Sequence, residues 1–572
     1  MRADRIEFSR HAAAWLLVGA VLVIVGVALA SWTQTRGGTV TDVRFKGPDG
    51  TVFSALLYRP PTATVAHPAP GILAVHGYIN TRETQSPFAI EFARRGYVVL
   101  ALDQRGHGYS DGGATTKGFG GPEGLAYLRT LPFVDRRNIG LEGHSMGGWA
   151  VLAAAAAMPG DYSAMVLEGS SVGAPFARDG TPVWPRNVAV VFSRFDEFAP
   201  LMWGVPRAAD VGASAKLRAL FGATGNVMAD RTYGSIPAGT ARLLRTPAAT
   251  HPGDHLSTVA VADAADWFSQ TLVGGQPRAA TDQIWWVKEA GTGLALLGLA
   301  ALVFGTFDLL LRLTTLKPRA IAADAATAAP GSRRTLWFLT AFIPAVTYYC
   351  ALLVLPPPVA VSPVFPQAIT NWLMVWAIGN AAVALGLGKL LRRAPIADFA
   401  PMPPILPSIA LAVGVIAVAY GVVCAAAIWS VDFRFWVVAV KPLSRSQLLP
   451  FCTYVVPFTV FIGVTFHGFE RILAPDRGSI GRYLSAVGAL SLGFLALTGG
   501  QYVLLFATGA LPLPFEALNV IVAIQFVPLL AGLACLAVYC ERRTSSFLPG
   551  ALIGGLFVTW YMVAGTATHF AT

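Results

Sequence analysis

Long apolar runs constrain this chain before any motif does. A helix needs about 20 consecutive apolar residues to cross the roughly 30 Å hydrocarbon layer of a bilayer. Such runs stand near 12–30, 291–311, 336–355, 369–391, 405–429, 449–467, 483–508, 517–540 and 548–568, nine in all. Between the first two lies a polar block, about 36–282, of ordinary soluble composition. With 54% hydrophobic and only 13% charged residues over 572 positions, a wholly water-soluble chain is excluded. The expected organisation is an anchor at 1–35, a soluble domain at 36–282, and eight further helices at 283–572. Together the helices make an all-α polytopic membrane domain of about nine spans.

Basic residues are placed unevenly, and that sets the expected orientation. Arg2, Arg5 and Arg10 precede the first run, and cytoplasmic flanks carry the Lys/Arg excess. Alternation through nine spans puts 312–335, 389–404, 468–482 and 541–547 on that same side. These segments hold Arg312, Lys317, Arg319, Arg333, Arg334, Lys389, Arg392, Arg393, Arg471, Arg477, Arg482, Arg542 and Arg543. The opposite loops after the second run carry only Arg434, Lys441 and Arg445. The expectation is a multi-pass protein of a bacterial plasma membrane. Its N-terminus is cytoplasmic, and its soluble domain and C-terminus are outside. The net charge of +11 is then a positive-inside signature, and no nucleic-acid partner is expected. The first run can also be read as a signal peptide ending at Ala28-Leu29-Ala30. Its apolar stretch exceeds that of a typical signal, which favours a retained anchor. All five cysteines lie in the apolar runs, and no zinc-ligand spacing exists, so neither disulfide nor metal is expected.

Within the soluble block, 39–46 and 51–58 alternate apolar and polar around Gly47-Pro48-Asp49-Gly50, which predicts a hairpin. Strands are then predicted at 71–76, 97–102, 138–142, 163–167, 187–192 and 240–245. Helices are predicted at 84–95, 121–131, 146–158, 208–221 and 258–272. Alternating strands and helices indicate a doubly wound, mostly parallel sheet, whose ligands bind at the carboxyl ends of the strands.

Residues 138–158, NIGLEGHSMGGWAVLAAAAAM, run from a β-prone stretch through a Gly-His-Ser-Met-Gly-Gly turn into an alanine-rich helix. This is the context in which a GxSxG serine becomes a nucleophile. Gly143 and Gly147 permit the tight turn and lift Ser145 into the open. The helix N-terminus points unpaired N–H groups back at it. Asp196 follows the strand at 187–192, in SRFDEFAP, with Glu197 beside it. His251 and His255 follow the strand at 240–245. In the order Ser, Asp, His, the imidazole takes the serine proton while the carboxylate fixes its tautomer.

Residues 39–273 resemble the α/β-hydrolase superfamily, in its dienelactone-hydrolase, cutinase-like and prolyl-oligopeptidase-like branches. The likeness rests on His76-Gly77-Tyr78, on Asp103 to Ser110 (DQRGHGYS), on GHSMGG and on SRFDEFAP. It implies an oxyanion hole from the backbone N–H groups of Tyr78 and Met146. It favours Asp196 over Glu197, and His251 over His255, which sits near the helix cap Ser257. His76 is expected to be buried and to shape the oxyanion loop. His107 is expected to be structural and His67 exposed. No cofactor is implied.

The long gap from Asp196 to His251 predicts a cap at about 199–239. Its apolar opening makes Phe198, Met202 and Trp203 the candidates for substrate binding. Trp285-Trp286 is expected to form an interfacial belt, and Asp308 to pair with Arg312 one turn on. The expected function is a membrane-embedded serine hydrolase. It would cleave an ester, thioester or amide of a lipidic or small acyl substrate through an acyl-enzyme, close to membrane lipids. The alternatives are a prolyl-oligopeptidase-like peptidase, an acyltransferase on an envelope lipid or sugar, and a non-catalytic binding domain on a transporter.

Overall fold

The structure, a computed structural model, describes residues 2–316, 330–354, 359–390, 404–473 and 478–570. Of the basic residues invoked for orientation, Lys317, Arg319, Arg392, Arg393 and Arg477 lie outside the described residues.

Eight strands form one sheet: β1 (Thr39–Lys46), β2 (Val52–Arg59), β3 (Ala69–Val75), β4 (Val98–Leu102), β5 (Val134–His144), β6 (Ala164–Glu168), β7 (Val188–Val191) and β8 (Arg242–Arg245). Their order is β1-β2-β4-β3-β5-β6-β7-β8. β1 and β2 form the hairpin, pairing Lys46 with Val52, and Gly50 takes the positive φ that its turn requires. β2 meets β4 antiparallel, and every later pairing is parallel. β3, β4, β6 and β7 are buried at every position, as strands covered on both faces must be. Helices Ser86–Arg94 and Thr258–Thr271 cover one face through Phe88, Phe92 and Phe268. Helices Gly121–Thr130 and Met146–Ala157 cover the other through Leu125, Leu128 and Leu152. The helix predicted over 208–221 breaks in two at Ser214. The Ser214 hydroxyl donates to Trp203 O (2.6 Å) and caps the second piece, Ala215–Phe221.

Among the described residues, eight helices are long and apolar enough to cross a membrane: 11–34, 285–311, 368–390, 405–427, 445–469, 479–508, 514–544 and 548–565. The run expected at 336–355 is also helical, within Pro330–Val354, but stands outside that set of eight.

The first two of the eight run antiparallel with glycines in the seam. A Cβ on Gly26 would lie 2.6 Å from Ala295 N and Gly291 O, and one on Gly298 would lie 2.7 Å from Val23 N. Small residues let the two backbones approach this closely.

One end of the bundle carries the sheet domain. The segment after the last helix pairs with a domain loop, Thr568 N donating to Gly106 O and Ala114 N to Thr568 O, both at 2.8 Å. One expectation changes here, and another gains partners. Trp285 is buried in the sheet domain's core rather than facing outward, and only Trp286 is exposed. Asp308 receives the Tyr539 hydroxyl (2.7 Å) and pairs with Arg543 Nε (2.6 Å). Those partners come from helix Ala517–Thr544, and Arg312, one turn on, adds its positive charge to the same carboxylate.

Candidate active site

β5 delivers Ser145 at the tip of a turn. Its φ of 55° and ψ of −121° are a strained conformation for a residue with a side chain. The strain is held because nothing larger than glycine fits on either side. A Cβ on Gly147 would lie 2.0 Å from Val75 O, and one on Gly143 would lie 2.3 Å from Gly147 O. Ser145 N–H donates to Glu168 O (2.8 Å), which fixes the tip against β6. The helix begins at Met146, so the Met146 N–H has no partner within the helix.

The loop after β3 lies against this tip, since a Cβ on Gly77 would come within 3.1 Å of Ser145 Cβ. His76 supports the loop from below. Its Nε2 accepts from Gln104 N–H (3.0 Å), so its Nδ1–H donates to Gly77 O (2.7 Å). Burial pushes His76 down to about 4, so the ring is neutral. His107 is pushed to about 3 by burial and by neighbouring His76.

His251 follows β8. Its Nδ1–H donates to Asp196 Oδ2 (2.8 Å), leaving Nε2 as an acceptor. Asp196 Oδ1 accepts the Phe198 N–H (2.8 Å), and the Phe198 ring packs 4.5 Å from the imidazole. Burial opposes a charged ring here, but Asp196 outweighs it and raises the His251 pKa above the usual histidine value. Glu197 does something else. Its Oε2 accepts the backbone N–H of His251 (2.7 Å), and burial, then Asp196, push its carboxyl up to about 7. His255 lies against His144 and Phe88, 4.1 and 6.0 Å between ring centres. Burial, first among the causes, holds it down at about 3.

Ser145 and His251 both line one cavity of about 260 Å³. Gly77, Tyr78 and Met146 complete its reactive side, and Phe176, Phe198, Leu201 and Met202 form its cap side. Trp203 does not reach it. That side chain is 1% exposed and packs edge-on to Phe192, inside the cap. The third side comes from the helical half, through Val437, Leu518 and Ile521.

Several contacts with the helical half escape sequence reasoning. The Tyr502 hydroxyl donates to Glu197 Oε1 (2.6 Å). The Tyr78 hydroxyl is hydrogen bonded to His569 Nε2 (2.9 Å). Lys441 Nζ donates to both oxygens of Glu83 (2.9 Å each), just past the loop after β3. Burial opposes the Glu83 carboxylate, but Lys441 and Arg82 hold its pKa well below the usual range. The one available signal was polarity out of place: Tyr502 late in an apolar run, and Lys441 among few basic residues in its set of loops. Among the described residues, no group of three or more His, Cys, Asp or Glu is arranged to hold a metal ion.

A serine on a strained tip, an imidazole oriented by a carboxylate, and N–H groups beside them can carry out acyl transfer. The strand order and the strand–turn–helix around Ser145 decide the fold. The sheet domain has the α/β-hydrolase fold.

The family model for serine aminopeptidase (S33) matches residues 66–202 of that domain. A monoacylglycerol lipase of Mycolicibacterium smegmatis is 36% identical over 185 residues, 30% of this chain and 60% of the lipase. The quorum-quenching protein AidA of Acinetobacter baumannii is 34% identical over 122 residues, 20% of this chain and 39% of that protein. This chain thus spans less than two thirds of the length of these relatives. Among solved structures, the Pyrococcus furiosus esterase Pf2001 is 16% identical with a TM-score of 0.31, covering 41% of this chain and 91% of the esterase.

Proposed function

We propose that this protein is a membrane-embedded serine hydrolase that cleaves a lipidic or small acyl ester. Ser145 is the nucleophile, His251 the general base and Asp196 its orienting acid. The observation that carries the reading is the single cavity shared by Ser145 and His251, with the imidazole held on Asp196 at 2.8 Å.

In this mechanism His251 Nε2 takes the hydroxyl proton as Ser145 Oγ bonds to the ester carbonyl carbon. The N–H groups of Met146 and Tyr78 receive the developing oxyanion. The imidazolium returns its proton to the departing alkoxide, which leaves as the alcohol. Water, deprotonated by the same ring, then releases the acid and regenerates Ser145. Phe198 and Met202 contact the acyl group. Trp203 supports the cap from within.

The cavity's composition favours an ester over a peptide. Its walls hold no Asp or Glu among the described residues, so nothing there would pair with a peptide's amino terminus. The name of the mycobacterial lipase points to the same substrate class. The reading keeps the hydrolase domain at 36–282 on the outer face, an uncleaved first helix and Pro330–Val354 as a ninth span. The glycine seam between the first helix and Trp285–Leu311 supports retention of the anchor.

The test uses the full chain in detergent or nanodiscs. Fluorophosphonate labelling and turnover of p-nitrophenyl esters are compared with aminoacyl p-nitroanilides, for wild type and Ser145→Ala. Ester turnover and labelling that both depend on Ser145 are expected. Labelling undiminished in Ser145→Ala, or anilide turnover exceeding ester turnover, would refute the assignment.

A further inference from the structure

We infer that Leu518, Ile521 and Val437 of the helical half form the far acyl-binding wall of the catalytic cavity, so that the membrane helices set which acyl chain is accepted. This rests on the serine-hydrolase reading above and names its substrate class: a single-chain acyl ester resident in the bilayer.

Three observations lead there. First, Leu518 and Ile521 lie three residues apart in the opening turn of helix Ala517–Thr544, a spacing that puts both on one helix face. Both line the cavity that Ser145 lines, and Val437 joins them from the loop before Leu448–Ile472. Everything facing an acyl chain on that side is therefore aliphatic.

Second, the wall is held at a fixed distance from the chemistry. The loop bearing Asp196 is tied to helix Ser479–Thr508 by Tyr502 on Glu197 (2.6 Å) and by Phe195 edge-on to Phe506 (5.1 Å). The oxyanion loop is tied through Lys441 on Glu83 and His569 on Tyr78. Ile79 is packed within the helical half's own core. Both loops that must flank the ester carbonyl are thus positioned by the helical half.

Third, size and depth choose the ligand. The cavity, at about 260 Å³, falls below the roughly 300–1,000 Å³ usual for ligand pockets, which suits one chain rather than two. Helix Ala517–Thr544 has 28 residues and is about 42 Å long, longer than the roughly 30 Å hydrocarbon layer. Its first turn then lies at the headgroup boundary, where the ester of a membrane amphiphile sits. Phe176 and Leu201 line the cavity and are also exposed, so its rim is apolar.

The experiment compares kcat/KM for dodecanoyl and butanoyl monoacylglycerols, using full-length protein in nanodiscs. Leu518→Trp and Ile521→Trp fill the wall, and the dodecanoyl-to-butanoyl ratio is expected to fall by about tenfold or more, the scale on which apolar pockets discriminate methylenes. Leu518→Ala, which does not overfill the core, is expected to shift preference the other way, toward longer chains. Ratios within about twofold of wild type in Leu518→Ala and in both Trp variants, or equal losses on both substrates, would overturn the wall assignment while leaving the hydrolase intact. A wild-type protein that neither labels at Ser145 nor turns over either ester would overturn both.

Discussion

In the hydrolase domain Ile72, Leu73, Val98 and Leu141 are wholly enclosed, while in the helical half Leu17, Val413, Val456 and Leu484 are exposed by 67, 51, 63 and 68%. On the proposed membrane reading, the same residue class obeys two solvents. Water drives the first set inward, and an outer face of the second kind is stable only against an apolar surrounding. Polar groups follow the same division. In the domain they cluster at the carboxyl ends of the strands around Ser145. In the bundle they join helices, as Tyr454 does to Asn371 (2.6 Å) and Tyr349 to Thr498 (3.0 Å). Glycine also has two uses. Gly147 lets the elbow pass under Val75 O, and Gly26 lets two helices touch. Buried charges meet where the regions meet. Lys288 Nζ donates to Asp432 (2.7 Å), and Arg434 bridges Asp432 and Glu289, so each cation leaves water with an acid beside it.

The largest effect that sharpens this contrast is expected from Ser145→Ala, which should reduce ester turnover by about 10,000-fold or more without altering the bundle. Fluorophosphonate labelling and thermal unfolding, read together, check it. Asp196→Asn should cost about a thousandfold or more in kcat, because the amide no longer holds the Nδ1–H tautomer. The wild-type pH profile belongs to the same test. His251 must be neutral to accept the serine proton, so activity falls as pH drops through its pKa. That pKa is raised by Asp196 against the opposing effect of burial, so the acidic limb of kcat/KM should lie above the usual histidine value of 6.5.

Gly26→Val would drive a side chain into Ala295 and Gly291 and should destabilise the helix pair by about 1–3 kcal/mol. Gly421→Ala, where a Cβ meets nothing within 4 Å, should leave the melting temperature nearly unchanged. Equal effects at the two sites would break the seam argument. The smallest effect crosses between the regions. Tyr502→Phe removes a hydrogen bond that favours ionised Glu197, so that carboxyl keeps its proton to higher pH. Less negative charge near His251 should move the acidic limb to lower pH and reduce kcat about three- to tenfold. A profile identical to wild type would remove Tyr502 from the site.

Much of this architecture is legible in the sequence because its signals are local. Period-two alternation marks β1 and β2, apolar runs mark the helices, and two glycines flanking Ser145 mark the elbow. Each depends on neighbours a few residues away, where backbone geometry alone dictates the pattern. The hairpin, the parallel crossovers and the strand-to-helix turn follow from them.

Other features were decided only by the tertiary structure, because they depend on which distant surfaces meet. His251 and His255 are four residues apart and chemically alike, and only the path of the chain after β8 turns the first toward Asp196. Adjacent Asp196 and Glu197 diverge, one toward an imidazole and the other toward a tyrosine some 300 residues later. Trp203 turns into the cap core, and Trp285 into the domain core. The residues that close the cavity, Leu518 and Ile521, carry no sequence signal beyond being apolar, for an aliphatic side chain packs by shape and proximity, and these exist only once the chain has folded.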